Sequence, residues 1–108
     1  MDTLQKSLEI IALFDIYQNL LTQKQKDYIT DYYYNDYSLA EISENYSVSR
    51  NAVLDLINRT TKKLYEFESK LNLHKKEVHI KRITNEIINI TDDKEIITLI
   101  KSLEKVEW

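Results

Sequence analysis

The 108-residue sequence contains no glycine and no proline. Glycine supplies the positive φ angles of tight β-hairpin turns, and proline fixes rigid bends in many loops. Sheet folds become costly without both residues, so the composition predicts an all-α protein. Codon usage is an alternative explanation for the missing glycine, because Ile, Asn, Lys and Tyr have AT-rich codons and make up 42 of the residues.

Residues 38–59 contain two amphipathic segments separated by a short break. Ser38 followed by Glu41 is a capping box, which predicts a helix from about Leu39, and Ser49 offers the N-cap of a second helix. Apolar residues recur at helical spacing through both segments. Two helices joined by so short a turn must cross steeply, so the spacing predicts a helix-turn-helix. The alternative is an ordinary pair of packed helices.

Position 47 is the critical residue of the expected turn. Helix-turn-helix proteins usually have glycine there, because the backbone needs a positive φ. The residue here is Ser47, for which the left-handed conformation costs about 1–2 kcal/mol. Asn45 is the alternative left-handed residue. Ser43 provides the small side chain needed where the two helices come closest.

Several short runs together resemble the YlxM-type family of small bacterial helical proteins. The runs are Leu20 to Gln25, Tyr32-Tyr33, Ser38 to Ile42, Val48 to Val53 and Asn58 to Thr60. The resemblance extends from about Phe14 to Leu73. The sequence departs from the family pattern at Ser47, where the family usually has glycine, and at Leu54, where an aromatic residue is common.

The family is similar to the promoter-reading C-terminal domain of bacterial sigma factors, and its genes neighbour those of the signal recognition particle pathway. The resemblance therefore implies a helix-turn-helix domain similar to that sigma-factor domain, with a C-terminal helical hairpin as an extension. It also implies a role near the signal recognition particle, as a regulator or an accessory subunit.

Further helices are predicted on the N-terminal side of the helix-turn-helix. One is expected from Leu4 to Leu21. A second capping box, Thr22 with Gln25, begins another helix that runs to about Asn35. This second helix carries a cluster of tyrosines, for which packing in the core is favoured over stacking on bases.

On the C-terminal side, the second helix of the helix-turn-helix is expected to continue to about Leu71. Asn72 tolerates the left-handed conformation that ends a helix. A helical hairpin follows, with one helix from His74 and another that Asp92 caps together with Glu95.

The length of the chain leaves room for one hydrophobic core. No low-complexity linker and no internal repeat divides the sequence. We therefore expect a single all-α domain over residues 1–108, composed of a helix-turn-helix core over residues 1–73 and a helical extension over residues 74–108.

Charge is distributed unevenly along the chain. The net charge of −3 argues against strong non-specific binding of nucleic acid. Residues 1–48 carry three basic and eight acidic side chains, whereas residues 49–82 carry nine basic and four acidic ones. The basic segment thus begins where the expected recognition helix begins.

Eight polar and charged residues at the start of that helix are candidates for contacting nucleic acid. They are Ser49, Arg50, Asn51, Asp55, Asn58, Arg59, Lys62 and Lys63. Arginine suits guanine and asparagine suits adenine through paired hydrogen bonds, and the later basic residues would reach phosphates. DNA is favoured over RNA as the ligand. A solvated charge near a helix start is the alternative interpretation of Arg50.

A second functional hypothesis uses the same surface differently. The acidic first half, the modest basic segment and the C-terminal hairpin also fit an adaptor that binds a protein or a ribonucleoprotein. The resemblance points to signal recognition particle components as its partners. The salt dependence of binding distinguishes the two hypotheses, because only phosphate contacts release counterions.

The first helix is apolar nearly all round at its centre, where the sequence reads I-I-A-L-F. Such a helix is either sandwiched within the fold or meets a partner. Because Ile10, Ile11, Leu13 and Phe14 are not expected to face one small core together, we predict a homodimer. Its interface residues are Leu8, Ile11 and Phe14.

Catalytic and metal-binding patterns are weak in this sequence. There is no cysteine, and without glycine there is no glycine-rich phosphate loop. His74 and His79 are five residues apart, which does not place them on one helix face. We expect no enzymatic activity, no cofactor, no metal and no small-molecule substrate.

The composition also bears on location. No apolar run approaches the ~20 residues of a membrane span, so no membrane insertion is expected. The lack of cysteine fits a reducing compartment, and the start of the chain does not resemble a signal peptide. We expect a cytoplasmic protein.

Overall fold

The computed structural model describes residues 3–106. All regular elements in this range are helical, and the range contains no β-strand, which confirms the all-α prediction. The α-helices are α1 (Leu4–Tyr17), α2 (Gln23–Ile29), α3 (Leu39–Tyr46), α4 (Arg50–Leu71), α5 (Leu73–Ile90) and α6 (Lys94–Glu104). None of them is both long and apolar enough to cross a membrane.

The helices form two compact units, one that ends at Leu71 and one that begins at Asn72. The first contains the helix-turn-helix and is called the HTH unit below, and the second is called the hairpin unit. This division lies within two residues of the boundary expected between core and extension. That the two parts act as one domain stays a prediction.

Helix α4 is the central element of the HTH unit, because α1, α2 and α3 all contact it. It buries one stripe of side chains at three- and four-residue intervals, as an amphipathic helix does. The stripe consists of Val53, Ile57, Thr60 and Leu64. The one hydroxyl in this stripe is satisfied, since Thr60 Oγ1 donates a hydrogen bond to the carbonyl of Leu56 at 2.7 Å.

The first helix ends earlier than the sequence predicts. It stops at Tyr17, and a short 3₁₀ turn, Gln18–Leu20, replaces the α-helix expected up to Leu21. The chain must leave the helix here because Thr22 forms its capping box with Gln25, as predicted. Leu21 and Thr22 both have extended backbone angles, so the first helix cannot continue through them into the second.

The second helix widens where a regular α-helix was expected. After Ile29 the chain continues as a π-helical turn, Thr30–Tyr34, which closes with a hydrogen bond of 3.0 Å from the Asn35 amide to the Thr30 carbonyl. The aromatic ring of Tyr34 then lies 5.8 Å from that of Phe14. Tyr34, the last residue of the wider turn, thus contacts α1.

The helix-turn-helix forms as predicted. The side chain of Ser38 caps α3 in a capping box with Glu41, and the helix ends at Ser47 with φ 55° and ψ 44°. Ser47 is therefore the left-handed residue, and Asn45 remains inside the helix. The turn is closed by a hydrogen bond of 3.1 Å from the Val48 amide to the carbonyl of Ser43, which is buried.

The hairpin unit consists of α5 and α6 joined by residues 91–93. Asn72 has φ 55°, so it ends α4 in the way predicted. The N-cap of α6 is Asp93 and not Asp92, because the Asp93 carboxylate accepts hydrogen bonds from the amides of Glu95 and Ile96 at 2.9 and 3.3 Å. The prediction for Asp92 is wrong by one residue, since two adjacent aspartates offer the same local signal.

Candidate nucleic-acid interface

The candidate interface begins at the N-terminus of α4, which a serine side chain fixes. Ser49 Oγ accepts a hydrogen bond from the Ala52 amide at 3.0 Å, and the Ser49 carbonyl accepts one from the Val53 amide at 3.1 Å. These bonds define the start of the helix and therefore the directions of the side chains that follow. Arg50 and Asn51 occupy its first two positions, where a recognition helix contacts base edges.

Burial on one side of α4 determines which residues face outward. Val53 and Ile57 are buried against the rest of the HTH unit. At about 100° per residue, Asn51, Asp55 and Asn58 then lie on the opposite side of the helix. Their exposure follows from the packing of the stripe and does not depend on the partner.

All eight residues predicted for the interface are exposed. They are Ser49, Arg50, Asn51, Asp55, Asn58, Arg59, Lys62 and Lys63. The structure brings them together along one continuous helix, from the residue that caps it to a point about two-thirds along its length. A helix rises 1.5 Å per residue, so Lys62 lies about 18 Å along the axis from Arg50.

Two of these residues are paired with each other. Arg59 Nε lies 3.0 Å from Asp55 Oδ2, and both side chains are about two-thirds exposed (68% and 65%). Both were expected to contact nucleic acid, Arg59 through phosphate. Their spacing of four residues, with the acid first, was the signal for this ion pair. Arg59 must leave Asp55 or share it before it can contact phosphate fully.

A shallow cleft adds an apolar residue to the interface. It lies where α3 meets the start of α4, and it is lined by Leu39, Ser49, Arg50, Asn51 and Leu54. Leu54 is exposed there beside the two residues expected to contact bases. The sequence analysis noted this leucine only as a departure from the family pattern. The signal that could have identified Leu54 was its position, one turn after Arg50 on the exposed side of a recognition helix.

Two tyrosines of the HTH unit are hydrogen-bonded to carboxylates, and one of them, Tyr34, belongs to the tyrosine cluster predicted on the second helix. The Tyr34 hydroxyl donates to Asp15 at 2.6 Å, and the Tyr46 hydroxyl donates to Asp31 at 3.2 Å. Burial and the neighbouring Asp15 raise the pKa of Tyr34, and burial and Asp31 raise that of Tyr46. Aromatic rings held beside negative charge are poorly placed to stack on nucleotides, so these tyrosines support the fold of the unit.

The three residues expected at a dimer interface differ in how much of their surface is exposed. Leu8 exposes 57% of its surface and Ile11 is half-buried, but Phe14 exposes only 4%. Phe14 is therefore a core residue and does not present a surface to a second copy. Ile10 and Leu13 are buried with it, because α4 and the ring of Tyr34 both pack against α1. A homodimer through α1 stays a prediction, with a smaller surface than expected.

Metal-binding groups were also sought within residues 3–106. This range holds no cluster of three or more His, Cys, Asp or Glu side chains that could bind a metal ion. The two histidines both lie on α5, outside the HTH unit, and His79 Nδ1 lies 2.8 Å from a guanidinium nitrogen of Arg82.

Comparison with known proteins agrees with this architecture. Residues 4–104 match the family model of UPF0122, described as "Putative helix-turn-helix protein, YlxM / p13 like". A UPF0122 protein of Bacillus licheniformis is 47% identical over 106 residues, which cover 97% of this chain and 99% of the relative. The UPF0122 protein YlxM of Bacillus subtilis is 44% identical over 109 residues, with the same two coverages.

A third relative, from a Mycoplasma, has a similar sequence identity to this chain. A UPF0122 protein of Mycoplasma capricolum is 43% identical over 106 residues, which cover 97% of this chain and 91% of the relative. The match spans both the HTH unit and the hairpin unit, and it confirms the resemblance drawn from the short sequence runs. The chain belongs to the YlxM / p13-like helix-turn-helix family, UPF0122.

Proposed function

We propose that this protein is a non-enzymatic helix-turn-helix regulator that binds duplex DNA through the first two-thirds of α4. The observation that carries the proposal is the exposure of all eight candidate residues on one helix that α3 and the left-handed Ser47 hold in a helix-turn-helix. Such a helix enters the major groove with its N-terminal residues against base edges.

The residues divide into two roles. Arg50, Asn51 and Asn58 carry donors that can pair with base edges, and guanidinium and amide groups suit guanine and adenine respectively. Lys62 and Lys63 lie farther along the helix and contact phosphates, which positions the protein without reading sequence. Arg59 joins the second group when it is released from Asp55.

The charge of the HTH unit sets the expected strength of binding. Residues 1–71 carry eight basic and eleven acidic side chains, a net charge of −3. Long-range attraction to DNA is therefore weak, and affinity depends on the local basic residues of α4. We expect modest affinity with a clear salt dependence, in the cytoplasm, where a cysteine-free protein is at no disadvantage.

A selection from random duplex DNA tests the proposal directly. The whole chain should enrich a defined sequence, and Arg50→Ala should weaken binding to that sequence by about 1–3 kcal/mol while relaxing the preference. Lys62→Ala should weaken all sequences alike and reduce the salt slope by about one. Lys94→Ala, an exposed lysine of the hairpin unit, serves as the matched control and should change neither quantity.

A second candidate function is an adaptor that binds a protein or a ribonucleoprotein. The net negative charge of the HTH unit favours it, because it opposes binding to any polyanion. The resemblance to the family points to the signal recognition particle as the partner. Cross-linking in cells followed by recovery of bound protein and nucleic acid decides between the two. A selection that enriches no DNA sequence, together with recovery of signal recognition particle components, would replace the first proposal by the second.

A further inference from the structure

The hairpin unit has almost no core of its own. Among its described residues, the one buried side chain is that of Thr84, whose hydroxyl donates to Glu104 at 3.0 Å. Chains of fewer than about 40 residues rarely fold without disulfides, metals or association with another surface. The sequence contains no cysteine, so association is the available way to stabilise this unit.

Helix α6 carries apolar residues on two adjacent sides. Ile97 and Ile100 are half-buried and lie toward α5. Ile96, Leu99 and Leu103 each lie about a quarter-turn away and are exposed. Their spacing of three and four residues is that of a helix seam that packs against another helix. One neighbour, α5, accounts for the first side only.

Helix α5 continues the same exposed side. Ile83 and Ile90 are seven residues apart, and Ile83 directly precedes the buried Thr84. On each helix, the exposed apolar residues lie to one side of the residues that face the other helix. Viewed along the chain direction, this side is the same for α5 and α6. Because the two helices of a short hairpin run antiparallel, the same sense of rotation brings both sets to one side of the hairpin.

We call this side the hairpin face. Its members are large aliphatic residues that each expose 41–85% of their surface, including one in the turn that follows α6. They are Ile83, Ile90, Ile96, Leu99, Leu103 and Val106. At one end, Leu103 and Val106 also line a concave region between the two helices, with Ile80 at its base.

The charge of the unit favours a second copy of this chain as the occupant of this face. From Asn72 to the end, the chain carries seven basic and seven acidic side chains, a net charge of zero. A neutral, apolar face does not fit a polyanion. It does fit the same face of a second copy. In a twofold interface both copies contribute the same apolar patch, so charges of both signs around the patch let each copy pair with the other. Glu86 and Glu95 lie toward the end of the hairpin that contains the connecting residues 91–93, and Lys76 lies toward the opposite end.

We propose that the hairpin face binds the hairpin face of a second copy of this chain, so that four helices form a bundle and the protein is a homodimer. Each hairpin supplies two antiparallel helices, which is half of a four-helix bundle. The interface differs from the α1 surface expected from the sequence. It is also independent of nucleic-acid binding, so either proposal can fail without the other.

Sedimentation of the whole chain at micromolar to hundred-micromolar concentration is the first test. The wild-type chain should sediment as a dimer. Leu99→Glu combined with Leu103→Glu should weaken the dimer at least about 100-fold, because the bundle would then bury the introduced carboxylates of both chains. Leu8→Glu on α1 is the matched control and should leave the dimer intact. A monomeric wild-type chain overturns the proposal, and so does a dimer that Leu8→Glu dissociates but the hairpin variant does not.

Single cysteines provide a second measurement that does not depend on the folding of the glutamate variant. The natural sequence has no cysteine, so each variant has one reactive thiol. Leu99→Cys lies on the hairpin face, and Thr98→Cys lies beside it on the polar side of α6. A short bismaleimide should join Leu99→Cys chains in pairs far faster than Thr98→Cys chains. Equal rates for the two variants contradict the proposal.

Discussion

The HTH unit and the hairpin unit are built from the same kinds of helix, but they differ in what those helices bury. Eleven apolar side chains of the HTH unit are buried, whereas the described part of the hairpin unit buries only Thr84. The difference lies in the number of helices within each unit: α4 contacts three other helices of the HTH unit, while the hairpin unit consists of α5 and α6 alone. Amphipathic helices therefore produce a core only when enough of them surround one element.

The exposed surfaces of the two units differ in the same way. The outward side of α4 carries polar and charged residues, which suits contact with a hydrated, charged ligand. The hairpin face carries aliphatic residues, which suits contact with another apolar surface. Substitutions should consequently affect stability most in the HTH core, association most on the hairpin face, and binding most on α4.

The largest effect expected on folding is that of Leu64→Ala in the HTH unit. Leu64 is fully buried on α4, so its truncation removes contacts and leaves a cavity. The free energy of unfolding should fall by about 2–5 kcal/mol. Val78→Ala on α5, a half-exposed residue that lies away from the hairpin face, should change it by less than about 0.5 kcal/mol. Urea denaturation measures both. Equal losses would mean that the hairpin unit has a core comparable to that of the HTH unit.

The cap of α6 gives the next largest effect. Asp93→Ala removes the acceptor for two amides at the start of the helix and should cost about 0.5–2 kcal/mol. Asp92→Ala, one residue earlier, should cost much less. Amide hydrogen exchange in α6 reports this loss separately from the HTH unit. A greater effect of Asp92→Ala would show that α6 begins one residue earlier than the structure places it.

The next prediction compares two residues that share the left-handed backbone conformation. Ser47 and Asn72 both have φ 55°, but asparagine tolerates this conformation better than serine does. Ser47→Gly should therefore raise the free energy of unfolding by about 1 kcal/mol, after the added entropy of the unfolded chain is subtracted. Asn72→Gly should change it by only a few tenths of a kcal/mol. Thermal or chemical denaturation measures both, and a loss of stability in Ser47→Gly contradicts the argument.

The smallest effect on stability belongs to the ion pair on α4. Asp55→Asn should cost about 0.3–0.5 kcal/mol at low salt, because the pair is exposed. The same change frees Arg59 for phosphate, so DNA affinity should rise and the salt slope should steepen by about one. Glu66→Gln, three turns farther along α4, removes an equal charge and is the control. If both variants bind DNA equally well, release of Arg59 contributes nothing.

Much of the HTH unit was predictable because its boundaries depend on side chains within a few residues. The capping boxes at Thr22 and Ser38 and the N-cap at Ser49 were predicted from spacing alone and are present. The exposure of Arg50 and Asn51 follows from the period of the helix that carries them. The π turn was not predictable in this way, because the capping box and the local spacing indicate a regular α-helix there.

The sequence by itself determined the helical segments, three of their N-caps and the left-handed residue Asn72, because backbone hydrogen bonds and φ preferences act over about four positions. It placed the cap of α6 one residue early and left Ser47 and Asn45 as alternatives for the left-handed residue of the turn. Only the tertiary structure decided which apolar side chains are enclosed. It buried Phe14, which the sequence analysis had assigned to an interface, and it left Leu99 and Leu103 exposed. An apolar stripe indicates that a helix packs against a neighbour, but the position and number of neighbours depend on packing between distant segments.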